Sequence, residues 1–148
     1  MEFFSVGGYS EVGKNMSAVK INDSIIILDM GFFLPALVDF EESGGERKNL
    51  TTEGMIKLGA IPNDKILRPL KDKVKGIVLG HCHLDHIGSV PFTAPNYDAP
   101  ILGSPYTLEV LRTELENERV SLKNKLLKIN PNSSYKLENV EVEFIHMT

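Results

Sequence analysis

The chain has 148 residues, 42% of them hydrophobic and 24% charged, which is enough for one domain with a real core and argues against disorder. Its single cysteine excludes an internal disulfide and points to a reducing, cytoplasmic setting. The formal net charge of −4 counts against a surface that is wholly a nucleic-acid platform, and the longest apolar run, Met30 to Val38, is too short to span a bilayer.

Glu2 to Val6 and Met16 to Ile21 read as paired strands around a glycine-rich loop, and Ser24 to Leu28 follows the hairpin-type break Asn22-Asp23. Gly7, Gly8 and Gly13 lack the spacing of a Walker or dinucleotide loop, so they are expected at backbone positions that need positive φ or close approach. Asp29 closes the third strand, where an ionisable group is costly unless it has a partner or stabilises a turn. From Phe32 to Arg68 the pattern is weak. Asp39 to Lys48 reads as an exposed or mobile loop, and Thr51 to Lys57 as a short helix with a threonine cap, weakened by Gly54.

Val74 to Gly80 is an apolar, β-branched run that reads as a buried strand leading into His81-Cys82-His83-Leu84-Asp85-His86. That motif holds all but one of the chain's 4 histidines, a density better suited to divalent metal ions than to a protein core. If extended geometry persists through His83, alternation turns His81 and His83 to one side and Cys82 to the other, so Cys82 is not expected to be a ligand although thiolate binds zinc well. Asp85 and His86 follow in what reads as a tight turn, before Ile87, Val90 and Phe92 begin a helical pattern. Imidazole with carboxylate suits zinc or manganese, and a site without thiolate usually keeps a position open for water, which is the catalytic kind. Further on, Pro100 to Gly103 is a strand, and Ser104-Pro105 starts an amphipathic helix with Leu108, Leu111 and Leu115 on one face. Leu126 to Ile129, Ser134 to Leu137 and Val140 to Ile145 complete the chain as strands.

His81-x-His83-x-Asp85-His86 resembles the second motif of the metallo-β-lactamase superfamily. Gly7 to Met16 resembles the glycine-rich opening of the RNase J nucleases in its β-CASP branch, and Asp72 to Leu79 and Ile87 to Pro91 are similar to the segments that flank the histidines there. Ile25 to Gly31 is similar to the superfamily's first motif. The resemblance covers almost the whole chain, with departures at Gly80, where threonine or serine is common, and at Cys82 and Leu84, usually small and acidic residues.

The resemblance implies an α/β fold, the N-terminal portion of an αββα sandwich, over residues 1–148, with the β-CASP domain and the remaining ligands outside them. It implies two divalent metal ions, zinc in the first place with manganese as the alternative. His81 and His83 would hold one ion, Asp85 and His86 would hold the other as catalytic ligands, and Asp29 would orient a ligand histidine from outside the metal shell. It implies that a third-motif histidine would follow directly after Thr148 and that His146 is a strand residue upstream of it. The intact protein is then expected to hydrolyse RNA from the 5′ end or internally, with no membrane partner and with dimerisation through parts outside these residues. The 148 residues alone are expected to bind metal weakly and to lack activity. Glu11, Lys14 and Asn15 border the implied groove, with none singled out. Spacing alone leaves open lactone, thioester or β-lactam hydrolysis on the same scaffold, and also a non-catalytic folding or assembly module.

Overall fold

The computed structural model describes residues 1–145, so His146 and its expected strand position lie outside the described residues. The chain opens as an antiparallel meander, β1 (Glu2–Gly7), β2 (Met16–Ile21) and β3 (Ser24–Leu28), with Asn22 supplying the positive φ (54°) of the β2–β3 turn. β4 (Val74–Leu79), β5 (Ile101–Gly103) and β6 (Leu126–Lys128) then add in parallel, giving a six-stranded sheet in sequential order. The central strands β3, β4 and β5 are nearly continuous in apolar residues because both of their faces are covered.

Alternation sorts those side chains into two layers. Ile25, Ile27, Ile77, Leu79 and Ile101 join Met16 and Ala18 on one face, where Leu108 and Leu111 of α5 (Pro105–Asn117) pack against them. Ile26, Val78 and Leu102 face the other way, onto Leu137 and Val140 of a separate hairpin, β7 (Ser133–Leu137) and β8 (Val140–Phe144). Gly76 is where that hairpin comes closest: a Cβ there would stand 2.4 Å from Leu137 Cδ1. The layers are helix, sheet and second sheet, as expected for the α/β fold.

The segment after β3 departs from expectation. Residues 39–48 read as a loop in the sequence, yet Leu34–Glu42 forms α1, and Ser43, Gly44 and Gly45 close it with backbone bonds to Asp39, Glu41 and Phe40. Pro35 supplies its first turn, but Leu34 and Val38 are exposed and only Leu37 is buried, so the helix shows no apolar stripe. Nor is the polar stretch free of the body. Arg47 pairs with Glu118 and lies 4.9 Å over the Phe32 ring. α2 (Thr52–Leu58) has the expected cap, with the Thr51 hydroxyl accepting from Gly54 N–H at 3.1 Å, and Met55, Ile61, Phe32 and Leu37 form a satellite core.

Below the sheet, the fully buried Asp64 accepts from Arg68 Nε (2.8 Å), Asn96 Nδ2 (2.9 Å) and the Tyr97 hydroxyl (3.0 Å). Burial first, then the Asp64 carboxylate, push the Tyr97 phenol above its usual range and keep it a donor. Asn124 Nδ2 reaches the carbonyls of Tyr97 and Ala99, both at 2.8 Å, and so ties the irregular segment before β6 to the segment before β5.

Candidate metal centre

β4 ends at Leu79, and the histidine motif begins two residues later, after Gly80, in irregular backbone beyond the strand's C-terminal end. Asp85 and His86 lie in a one-turn helix, α3 (Leu84–Ile87), rather than in a simple turn, and α4 (Val90–Thr93) follows. Three chain segments are laced together here by backbone hydrogen bonds. Asn15 N–H donates to Asp85 O (3.0 Å), Met30 N–H to His86 O (2.7 Å), Gly31 N–H to Asn15 O (3.0 Å) and Phe32 N–H to Leu84 O (2.8 Å). The glycine-rich loop, the end of β3 and α3 therefore hold one another at the site.

Gly31 makes this crossing possible, since a Cβ there would meet Asp85 O at 1.6 Å. Gly31→Ala is expected to destabilise the chain by more than about 3 kcal/mol in chemical denaturation, because backbone rather than a flexible side chain is in the way. Gly80→Ala should cost less than about 0.5 kcal/mol. Its Cβ would stand 3.7 Å from Asp29 Oδ1, an ordinary contact.

Asp29 adopts a positive φ of 60°, which Asp tolerates better than most residues, and its carboxylate is fully used. Oδ1 accepts from Gly80 N–H at 2.9 Å, and Oδ2 lies 2.9 Å from His86 Nδ1. A carboxylate only accepts, so Nδ1 carries the proton and the Nε2 lone pair is directed outwards. Nε2 sits 3.4 Å from Asp85 Oδ2. Asn15 Nδ2 bridges the two, 3.2 Å from Asp85 Oδ2 and 3.5 Å from His86 Nε2, and also donates to Asp85 O at 3.0 Å. Two electron-pair donors thus converge on one positive pole, which is the chemistry a metal ion requires of its ligands.

The His81 ring lies 4.1 Å from that of His83 and 5.6 Å from that of His86, centroid to centroid. The four expected ligands therefore fall into two adjoining pairs at one edge of the sheet. The expected separation of Cys82 is corrected: its Sγ and a ring nitrogen of each flanking histidine lie within 4.8 Å of one another. The alternation rule fails because β4 has already ended and no ladder fixes these residues. Among the glycine-loop candidates, Glu11 is occupied by Gly8 N–H and Lys14, whereas Asn15 reaches the motif. No spacing rule singles out Asn15. Only the fold brings it across from a position 70 residues earlier in the chain.

A helix layer on a mixed sheet backed by a second sheet, with a His and Asp cluster at one sheet edge, defines a metallo-β-lactamase-fold protein. A solved metallo-β-lactamase, SMB-1 in complex with mercaptoacetic acid, superposes with a TM-score of 0.54 at 17% identity, over 97% of this chain and 52% of that one. The family model described as cAMP phosphodiesterases class-II matches residues 8–144. Ribonuclease J of Methanocaldococcus jannaschii is 42% identical over 100% of this chain and 33% of its own length, and Ribonuclease J of Pyrococcus abyssi is 39% identical over the same shares. The chain belongs to the family that this model describes and is similar in sequence to part of these ribonucleases J. It spans about a third of the length of the curated relatives it matches. Among the described residues no helix is long and apolar enough to cross a membrane.

Proposed function

We propose that these residues carry half of the active site of a metal-dependent ribonuclease that hydrolyses RNA phosphodiester bonds, from the 5′ end or internally. His81 and His83 hold one divalent ion and Asp85 and His86 the other, zinc before manganese, with the ligand set completed by groups outside these 148 residues. The observation that carries this reading is the chain of contacts from Gly80 N–H through Asp29 to His86 Nδ1, which turns the Nε2 lone pair towards Asp85 and the Asn15 amide. Metal-bound histidines are commonly oriented by a carboxylate in this way. Bound there, the ions supply Lewis-acid charge for the phosphate and acidify a water at neutral pH.

The chain's own residues do the positioning. Asp29 fixes the tautomer and angle of His86, Asn15 fixes Asp85 through both its backbone and its side chain, and the Gly31 crossing holds the three segments in register. RNA is the favoured substrate because the relatives at 42% and 39% identity are named for it. Cyclic AMP, in the name of the matching family model, is the second reading, and it uses the same phosphodiester chemistry. A cytoplasmic setting fits the single free thiol.

The two readings separate in one assay. A form with its complete ligand set is chelated, reloaded with zinc or manganese, and given a 5′-labelled single-stranded RNA and, separately, cyclic AMP. We expect RNA hydrolysis that needs the ion. Turnover of cyclic AMP without RNA would favour the second reading, and RNA loss indifferent to chelation would reject both.

A further inference from the structure

The two halves of the motif are satisfied in different ways. Asp29, His86, Asp85 and Asn15 are tied to one another by hydrogen bonds. His81 and His83 are instead exposed and stacked edge to face, and Cys82 between them is a free, half-buried thiol. Their ligand atoms nevertheless converge within 4.8 Å, with the two imidazole rings 4.1 Å apart. Two imidazole nitrogens and a sulfur brought this close together are a donor set of the kind zinc takes.

We propose that Cys82 is a ligand of the ion held by His81 and His83, so that this half of the site offers two imidazole nitrogens and one thiolate sulfur. The inference rests on reading the cluster as a metal site, and it adds a thiolate to a position that the resembling sequences fill with small residues. Three donors from consecutive residues leave a fourth position of a tetrahedral shell for a group from outside these residues or for water. That position is accessible, because Gly80, His81 and Cys82 line a cavity of about 430 Å³ shared with Ser104, Tyr106 and Thr107 at the start of α5. Binding breaks the Sγ–H bond, forms a metal–sulfur bond and releases the proton to solvent, with no change of oxidation state. The thiolate also carries a negative charge that His81 and His83 cannot supply, and it shifts the preference of this half from manganese towards zinc and cobalt.

The test is cobalt substitution of a form with its complete ligand set, with Cys82→Ser beside it. Visible d–d bands report that Co²⁺ sits among protein ligands, and a near-ultraviolet thiolate-to-cobalt charge-transfer band reports sulfur in the shell. Both are expected in the wild type, and Cys82→Ser should lose the charge-transfer band while keeping the visible ones. Visible bands without a thiolate band in the wild type would overturn the role of Cys82 and leave the histidine site standing. No cobalt spectrum at all would overturn the metal reading itself. A second measurement needs no variant: stoichiometric zinc should slow the reaction of Cys82 with a disulfide reagent by at least about tenfold. An unchanged rate would reject thiolate ligation.

Discussion

In a form with its complete ligand set, Asp85→Ala and His86→Ala are each expected to lower the proposed metal-dependent RNA hydrolysis by at least about a hundredfold while the protein stays folded. The expectation that folding survives comes from burial. The two side chains are 36% and 29% exposed, so neither fills the core, and alanine removes no large apolar surface. The structural work of this segment is done by the main chain, where Asp85 O accepts from Asn15 N–H and His86 O from Met30 N–H, and alanine keeps both bonds. What disappears is the pair of donors, Asp85 Oδ2 and His86 Nε2, that converge on Asn15 Nδ2. Turnover and a thermal melt measured on the same preparations check the split. Unchanged turnover in both variants would remove Asp85 and His86 from the site, and a collapsed melt would give them a structural role instead.

Asp29→Asn is expected to weaken metal binding by about 10- to 100-fold without touching a ligand. Asparagine is the informative substitution. It keeps the shape and tolerates the φ of 60° at this position, whereas alanine would add backbone strain to the loss of the carboxylate. The carboxylate accepts from two donors, Gly80 N–H and His86 Nδ1–H, and an amide has one acceptor for them. One donor is left facing an NH₂ group, so either the strand end or the His86 ring must turn. A competition titration with a zinc chelator, read beside a denaturant curve, distinguishes the outcomes. Weaker zinc binding at nearly constant stability supports an orienting role. Equal affinity with lost stability would make Asp29 the turn-stabilising aspartate that its place at the end of a strand also allows.

The sequence exposes the sheet better than the helices and the motif better than its supports. β3 and β4 are legible because Ile25 to Leu28 and Val74 to Leu79 are apolar, β-branched runs closed by glycine or a turn. α5 is legible because a cap, a first-turn proline and spaced leucines agree. α1 is not, since Leu34 and Val38 face solvent and its acidic second half looks like a loop. In the site, the four proposed ligands stand out by residue type and spacing, and Asp29 as a charge at a strand end that needs a partner, while their division between two ions and the orienting role of Asp29 come from the family resemblance. Asn15 is named only as one of three residues bordering the implied groove, because its contact with Asp85 is created by a 70-residue crossing that no local pattern encodes. Cys82 is misplaced by alternation for a related reason. Period two holds only while a ladder enforces it, and the ladder stops at Leu79.

That the cluster around His81, His83, Asp85 and His86 seats divalent ions is the central proposal. The most direct measurement is anomalous scattering at the zinc edge from crystals of the zinc-loaded protein. We predict a peak about 2.0–2.2 Å from ring nitrogens of His81 and His83, and a second at the same range from His86 Nε2 and an Asp85 oxygen. Zinc peaks confined to other parts of the surface, with none inside this cluster, would contradict it.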